Sequence, residues 1–222
     1  MFEEIGNLIE KKEKPGNLDK AIGLLEELKR KHPENDVVRG KLSHAFFYKG
    51  FFEEQKKERE RLFHKGMQCG NEAVTLYPEA VYGNFWYASN MGMWGMCRGI
   101  MASLKSVDPM FKAMQIVLKR NEAFFFGGPH RAIGRLYHHA PGWPLSIGNK
   151  RKALEHLERA VEIAPDFLCN RLWLAELLID VGKKREARKQ LDSVVSTRLN
   201  PDHAKEDGGY QEEAAGYLRK LF

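Results

Sequence analysis

Apolar residues recur along this chain at helical spacings, and the recurrences come in pairs, split by a glycine and closed by a proline. Ile5, Leu8 and Ile9 form one apolar stripe; Gly16 interrupts it, Ala21 and Leu25 begin another, and Pro33 ends that. The order repeats from Leu42, Ser43 and Phe46, through a turn near Gly50, to Ala73 and Pro78. Farther on, Ala153, Leu157 and Ala160 lie on one stripe of a helix over residues 150–164, between Gly148 and Pro165. Leu174, Ala175 and Leu178 then precede Gly182, Ala187 and Leu191, and Pro201 follows.

Two helices, small residues where they touch, a turn and a closing proline in about 34 residues make the register of a tetratricopeptide repeat. The pattern therefore predicts an all-α chain of tetratricopeptide-like antiparallel helix pairs forming a superhelical repeat domain. It predicts a single domain over residues 1–222, with four recognisable units and a degenerate central one at about 79–120. Within that central stretch residues 81–101 and 109–120 still read as helical. The second helix of the second unit is too long by about eleven residues for the standard spacing, and Ala153 lies roughly seven residues too far downstream. The latter surplus falls in His138–Asn149, so the turn there is expected to be an ordered loop holding Pro141, Gly142, Trp143 and Pro144.

Composition narrows the function classes. With 43% hydrophobic and 30% charged residues, the 222-residue chain is ordinary for a globular protein and can bury a sizeable core. The net charge of +6 is spread. Lys29, Arg30 and Lys31 sit beside Glu26 and Glu27, and Lys56 and Lys57 sit among Glu53, Glu54, Glu58 and Glu60, as on solvated helix faces. No nucleic-acid partner is expected from this mixture. Cys69, Cys97 and Cys169 form no Cys-x-x-Cys pair and are expected to pack as small apolar residues. No apolar run has the length of a membrane span, and Met1–Ile5 lacks the basic-then-apolar order of a leader, so the chain as given reads as soluble.

Two stretches are candidates for chemistry. GGPHRAIGRLYHHAPGWP, residues 127–144, carries His130, His138 and His139. His130 and His138 are slightly over two turns apart and His138 and His139 diverge by about 100°, so neither pair has the i, i+4 spacing of a helical zinc site. No metal ligand and no catalytic residue is expected, since no Gly-x-Ser-x-Gly, phosphate loop or Cys-His-Asn order is present. Gly128-Pro129 suits a helix start, Gly134 and Tyr137 fit the small and ring positions of a first helix, and Ile133 and Leu136 read as core. The second stretch, VYGNFWYASNMGMWGM over residues 81–96, contains five aromatics, and six of the eight methionines lie between Met91 and Met114. Methionine and glycine build either an adaptable wall for a flexible apolar guest or a closely packed central helix, and both readings stand.

FGGPHRAIGRLYHHAPGWPLSIGNKRKALEHLERA, from Phe126 to Ala160, with the helix continuing to Ala164 before Pro165, resembles the Gly-Pro, Arg-Ala-x-Gly-x-Leu-Tyr, Ala-Pro-x-x-Pro-x-Ser-x-Gly signature of the T-component proteins of tripartite ATP-independent periplasmic (TRAP) transporters. With Tyr82–Leu104, Leu174-Ala175-Glu176 and Gly182-Lys183 the resemblance runs from about Leu42 to Leu221; eukaryotic regulator-of-microtubule-dynamics proteins share a similar helical pattern. It implies a non-catalytic helical protein, periplasmic in that family, able to form a ring-like trimer and to associate with the transporter's solute-binding protein around an apolar cleft. The family's leader and lipid-attachment cysteine have no counterpart here, so a periplasmic location is expected if a leader was removed and a cytoplasmic one otherwise. The leading expectation is an interaction scaffold for a protein partner, with an apolar small ligand as a second guest. Tyr82, Phe85, Trp86, Asn90, Trp94, Arg131, Tyr137, His138 and Trp143 are its expected binding residues, with Arg131, His138 and Trp143 flanking the mouth. The alternatives are a cytoplasmic adaptor unrelated to transport, or an enzyme using the histidine-rich 130–143 loop.

Overall fold

The computed structural model describes residues 1–221, which form eleven helices and no strand. They divide into two compact units, residues 1–121 and 122–221. The first contains α1 (Phe2–Glu10), α2 (Asn17–Lys31), α3 (Asp36–Phe51), α4 (Lys56–Leu76), α5 (Val81–Arg98) and α6 (Ile100–Arg120). The second contains α7 (Phe124–His139), α8 (Lys150–Ile163), α9 (Leu168–Asp180), α10 (Lys184–Ser196) and α11 (Ala204–Leu221). The architecture is the expected one, all-α and tetratricopeptide-like.

In each unit successive helices pack antiparallel, and first helices of neighbouring pairs also touch: α3 on α5, and α7 on α9 on α11. The predicted turns mark the joints. Gly16 and Gly182 take left-handed φ of 81° and 78°, where a side chain is strained, and the Asn35 and Asn149 side chains cap α3 and α8 by accepting from Val38 and Lys152 N–H. Ile5, Leu25, Leu42 and Phe63 fill the first core; Leu157, Leu172, Leu177 and Leu191 fill the second. Each such side chain contributes about 1.5–3 kcal/mol of burial.

The weak central stretch is a complete helix pair. Gly99, at φ 97°, separates α5 from α6, and α6 begins well before Pro109 and runs through it, where the sequence placed a helix start. The pattern is faint because glycine replaces apolar side chains at the contact. A Cβ on Gly95 would lie 3.1 Å from the Ser103 backbone, and one on Gly92 would lie 2.7 Å from Met110 Cε. Beyond Pro201 the chain adds α11, which covers the α9–α10 pair with Ala214, Tyr210, Tyr217 and Leu218. No described helix is long and apolar enough to cross a membrane.

Candidate functional site

The aromatic cluster of the first unit is built by α3 and α5, brought together where Gly40 meets the Tyr82 ring and the Gly83 backbone. Trp86 is 1% exposed, and its indole stacks on His44 at 3.7 Å and 12°. Phe85 is also buried and meets Trp86 edge-on. Asn90 is fully buried, its amide donating to Ser43 O and Trp86 O at 2.9 Å and to Ser43 Oγ at 3.1 Å, which pins α5 to α3. These three expected binding residues are therefore packing residues in this structure. Tyr82 and Trp94 reach the surface, both half-buried. Trp94 faces His64 of α4, with the Arg98 guanidinium 5.6 Å over its ring.

The layer around Tyr82 holds residues that the sequence pattern does not single out. His44 shares a hydrogen bond with the Tyr82 hydroxyl, Lys12 places its ammonium 4.5 Å over Tyr48, and Lys41 places its own 5.4 Å over Tyr82. Burial, and then the two lysine charges, drives the His44 pKa well down, so its ring is neutral at physiological pH. Burial also lowers Lys41 and raises Tyr82. Lys41 makes no ion pair among the described residues. Of the central methionines, Met91 and Met114 are buried while Met96 and Met101 are exposed. The surface depressions at Met1–Asn17 and Lys31–Val37 involve none of the aromatic cluster.

In the second unit the glycine-rich signature is consumed by folding. Phe125, Phe126 and Gly127 are all left-handed, with φ of 46°, 60° and 71°. Arg131 and Asn170 hold this kink. Arg131 donates to the Phe126 carbonyl at 3.2 Å and to Asn170 Oδ1 at 2.9 Å, while its guanidinium lies 4.7 Å over Phe167. Asn170 Nδ2 donates to Phe126 O, Ala160 O and Ala164 O at 3.0, 2.8 and 3.3 Å. Gly134 lets α8 approach: a Cβ there would be 2.7 Å from Leu157 Cγ. Arg131, expected at the mouth of a cleft, is instead buried in this hub because its donors complete the carbonyls of the kink.

The histidines are paired as well. His138 is buried and its Nε2 lies 2.8 Å from Asp180, whose carboxyl that bond holds low. His130 places Nδ1 2.9 Å from Nδ1 of His156 and Nε2 3.1 Å from Glu122, which also takes two bonds from Arg159. Burial, then the His130 charge, pushes His156 down to about 4. Tyr137 is half-buried between His156 and the Lys152 ammonium. On the layer of first helices, Arg135 lies over Trp173 and pairs with Glu176, which also accepts from the Tyr217 hydroxyl at 3.2 Å. No described group of three or more His, Cys, Asp or Glu is placed to hold a metal.

The long turn is ordered, as its prolines and glycines predict. Gly148 N–H donates to Pro141 O and Asn149 N–H to Tyr137 O, each at 2.8 Å, and Leu145 N–H donates to Gly142 O. A Cβ on Gly148 would lie 2.0 Å from Ala140 O, so only glycine closes the loop. At its tip Trp143 is 90% exposed and Leu145 79% exposed. The nine expected residues thus fall into two sets, five in the first unit and Arg131, Tyr137, His138 and Trp143 in the second; Tyr82, Trp94, Tyr137 and Trp143 retain exposed surface.

The tetratricopeptide repeat family profile matches residues 148–205, from the end of the loop to the start of α11. No curated protein sequence matches the chain. Among solved structures, a thermophilic TPR protein from Thermus thermophilus is similar with a TM-score of 0.65 and 17% identity, covering 92% of each chain. MamA follows with a TM-score of 0.56 and 18% identity over 93% of this chain and 96% of its own. A human IFIT1 dimer with PPP-AAAA has a TM-score of 0.51 and 17% identity over 93% of this chain and 52% of its own. At these identities the likeness concerns the fold.

Proposed function

We propose that the chain is an interaction scaffold without catalysis of its own, and that the α3–α5 layer of the first unit holds an extended acidic segment of a protein partner. Helical repeats of this kind typically bind proteins, which supports the class of function. The observation that carries the site is Lys41, a half-buried ammonium over the Tyr82 ring with no ion pair among the described residues. A partly desolvated cation is expensive to leave without an anion. The partly exposed Tyr82 ring beside Lys41 offers apolar contact. Selection of peptides from a displayed random library tests this. Enriched peptides should carry Asp or Glu and should lose at least ten-fold in affinity to Lys41→Glu with unchanged circular dichroism; selected peptides indifferent to that change would refute the site.

The resemblance to TRAP T-components supports a narrower reading in which the partner is a solute-binding protein, the assembly is a trimer, the location is periplasmic and an apolar ligand sits beside Trp94 and the α5–α6 methionines. Sedimentation at three times the 25.6 kDa chain mass, and capture of a solute-binding protein that Lys41→Glu abolishes, are the expected results. A monomer that captures none would leave only the adaptor reading.

A further inference from the structure

We infer that the α7–α8 and α9–α10 turns of the second unit form a docking surface for an anionic membrane. Packing α7 to α10 antiparallel puts both turns at one end of the unit, and Lys150 Nζ reaches Asp180 O across them at 3.3 Å. The end combines an apolar projection with a basic surround. Trp143 and Leu145 project from a loop fixed by its own hydrogen bonds, so their exposure is part of the fold. At the same end stand two basic triplets of exposed residues, 150–152 and 183–185, of which Lys152 also covers the Tyr137 ring. The acids beside them are Glu155, which pairs with Arg151, Asp180, which is held by His138, and Glu186.

The chemistry selects the occupant. Indole belongs at the level of lipid headgroups, leucine beyond it among the acyl chains, and basic side chains on the phosphates, each adding to attraction within about a Debye length. A duplex or single-stranded nucleic acid would use the charges and could stack on Trp143, but it has no use for Leu145. A peptide would need a groove, whereas this loop is a projection. The surface is in the second unit and is independent of the Lys41 site.

Vesicle flotation of the full chain tests the assignment. Binding to phosphatidylcholine vesicles containing about 30 mol% phosphatidylglycerol should be clear at about 50 mM salt and fall several-fold by about 300 mM, and pure phosphatidylcholine should bind little. The double change Trp143→Ala with Leu145→Ala should lower partitioning about ten-fold without shifting the melting temperature, because both side chains are exposed. Acyl-brominated lipid should quench tryptophan emission in the native chain and not in Trp143→Phe, which still binds. Absence of binding to anionic vesicles, partitioning indifferent to the double change, or quenching that persists in Trp143→Phe would each overturn the inference. So would tighter, Trp143-dependent binding to a single-stranded oligonucleotide than to the vesicles.

Discussion

Replacing Asn170 tests whether the Arg131–Asn170 hub holds the start of the second unit. Its side chain is fully buried: Oδ1 accepts from Arg131, and the two Nδ2 hydrogens are shared among Phe126 O, Ala160 O and Ala164 O. Each partner keeps another bond after Asn170→Ala. Ala160 O still accepts from Ala164 N–H, Ala164 O from Phe167 N–H, and Phe126 O from Arg131. No carbonyl is orphaned, so the cost is the net value of the lost bonds: about 1 kcal/mol for each amide hydrogen and about 1.5 for the charged donor, roughly 3 to 4 kcal/mol in all. That support is what keeps two phenylalanines left-handed, a conformation costing about 1–2 kcal/mol per residue. Urea denaturation followed by tryptophan emission measures it, and a loss below about 1 kcal/mol would show that the hub is dispensable. Asn170→Asp adds a sign. The oxygen replacing Nδ2 would face three carbonyl oxygens in a buried site, against one guanidinium already shared with Phe126, so the carboxyl should titrate above its unfolded value of about 3.9. The folded variant then holds a proton that the unfolded chain releases, and its deficit relative to wild type should shrink as pH falls from about 7 toward about 4.5. A deficit constant with pH, or one that grows on acidification, would refute the geometry.

Trp86→Ala should cost about 3–5 kcal/mol by removing a filled core aromatic, whereas Trp94→Ala, half-exposed under Arg98, should cost about 1 kcal/mol; equal losses in denaturation would mean that the two rings have been assigned to the wrong environments. Native thiol titration with a disulfide reagent at about pH 7.5 should modify Cys97 first, because burial pushes Cys69 to about 12 and Cys169 to about 11; rapid reaction of either buried thiol would contradict the packing.

Periodicity made the helix pairs legible because each helix buries a stripe of fixed spacing, and the stripes through Leu157, Leu174 and Leu191 are strong. It failed at α5–α6 because close approach is achieved there by the absence of side chains, which leaves Gly92 and Gly95 where a stripe would show apolar residues. Glycine at helical intervals in an aromatic helix was the available sign. The site was less legible. The residues around Phe85, Trp86 and Asn90 read equally as packed helix and as ligand wall, and only the folded chain places His44 flat against Trp86 and Ser43 beneath Asn90. Asn170 could have been suspected as an isolated amide in the apolar run LCNRLWLAELL. Lys41 could not, since its lack of a counter-ion depends on what α5 brings beside it.

The signature over residues 126–165 illustrates what such a motif encodes. Gly127 allows a left-handed turn against Ala160, Arg131 satisfies the carbonyls of that turn, Gly134 admits Leu157, and Gly148 closes the loop against Ala140 O. Each of these residues is demanded by packing, so a sequence can match at all of them while differing in every group that meets a partner. Transfer of fold from such a match is therefore strong, and transfer of partner is not. Specificity has to reside in positions packing leaves free, and the surface proposed in the second unit uses such positions, Trp143, Leu145 and the two basic triplets. In the first unit the corresponding position is Lys41, which packing half-buries without supplying an anion. The two proposed surfaces ask for different chemistry, an anionic membrane for the second unit and an acidic chain for the first, so each can be tested, and can fail, without the other.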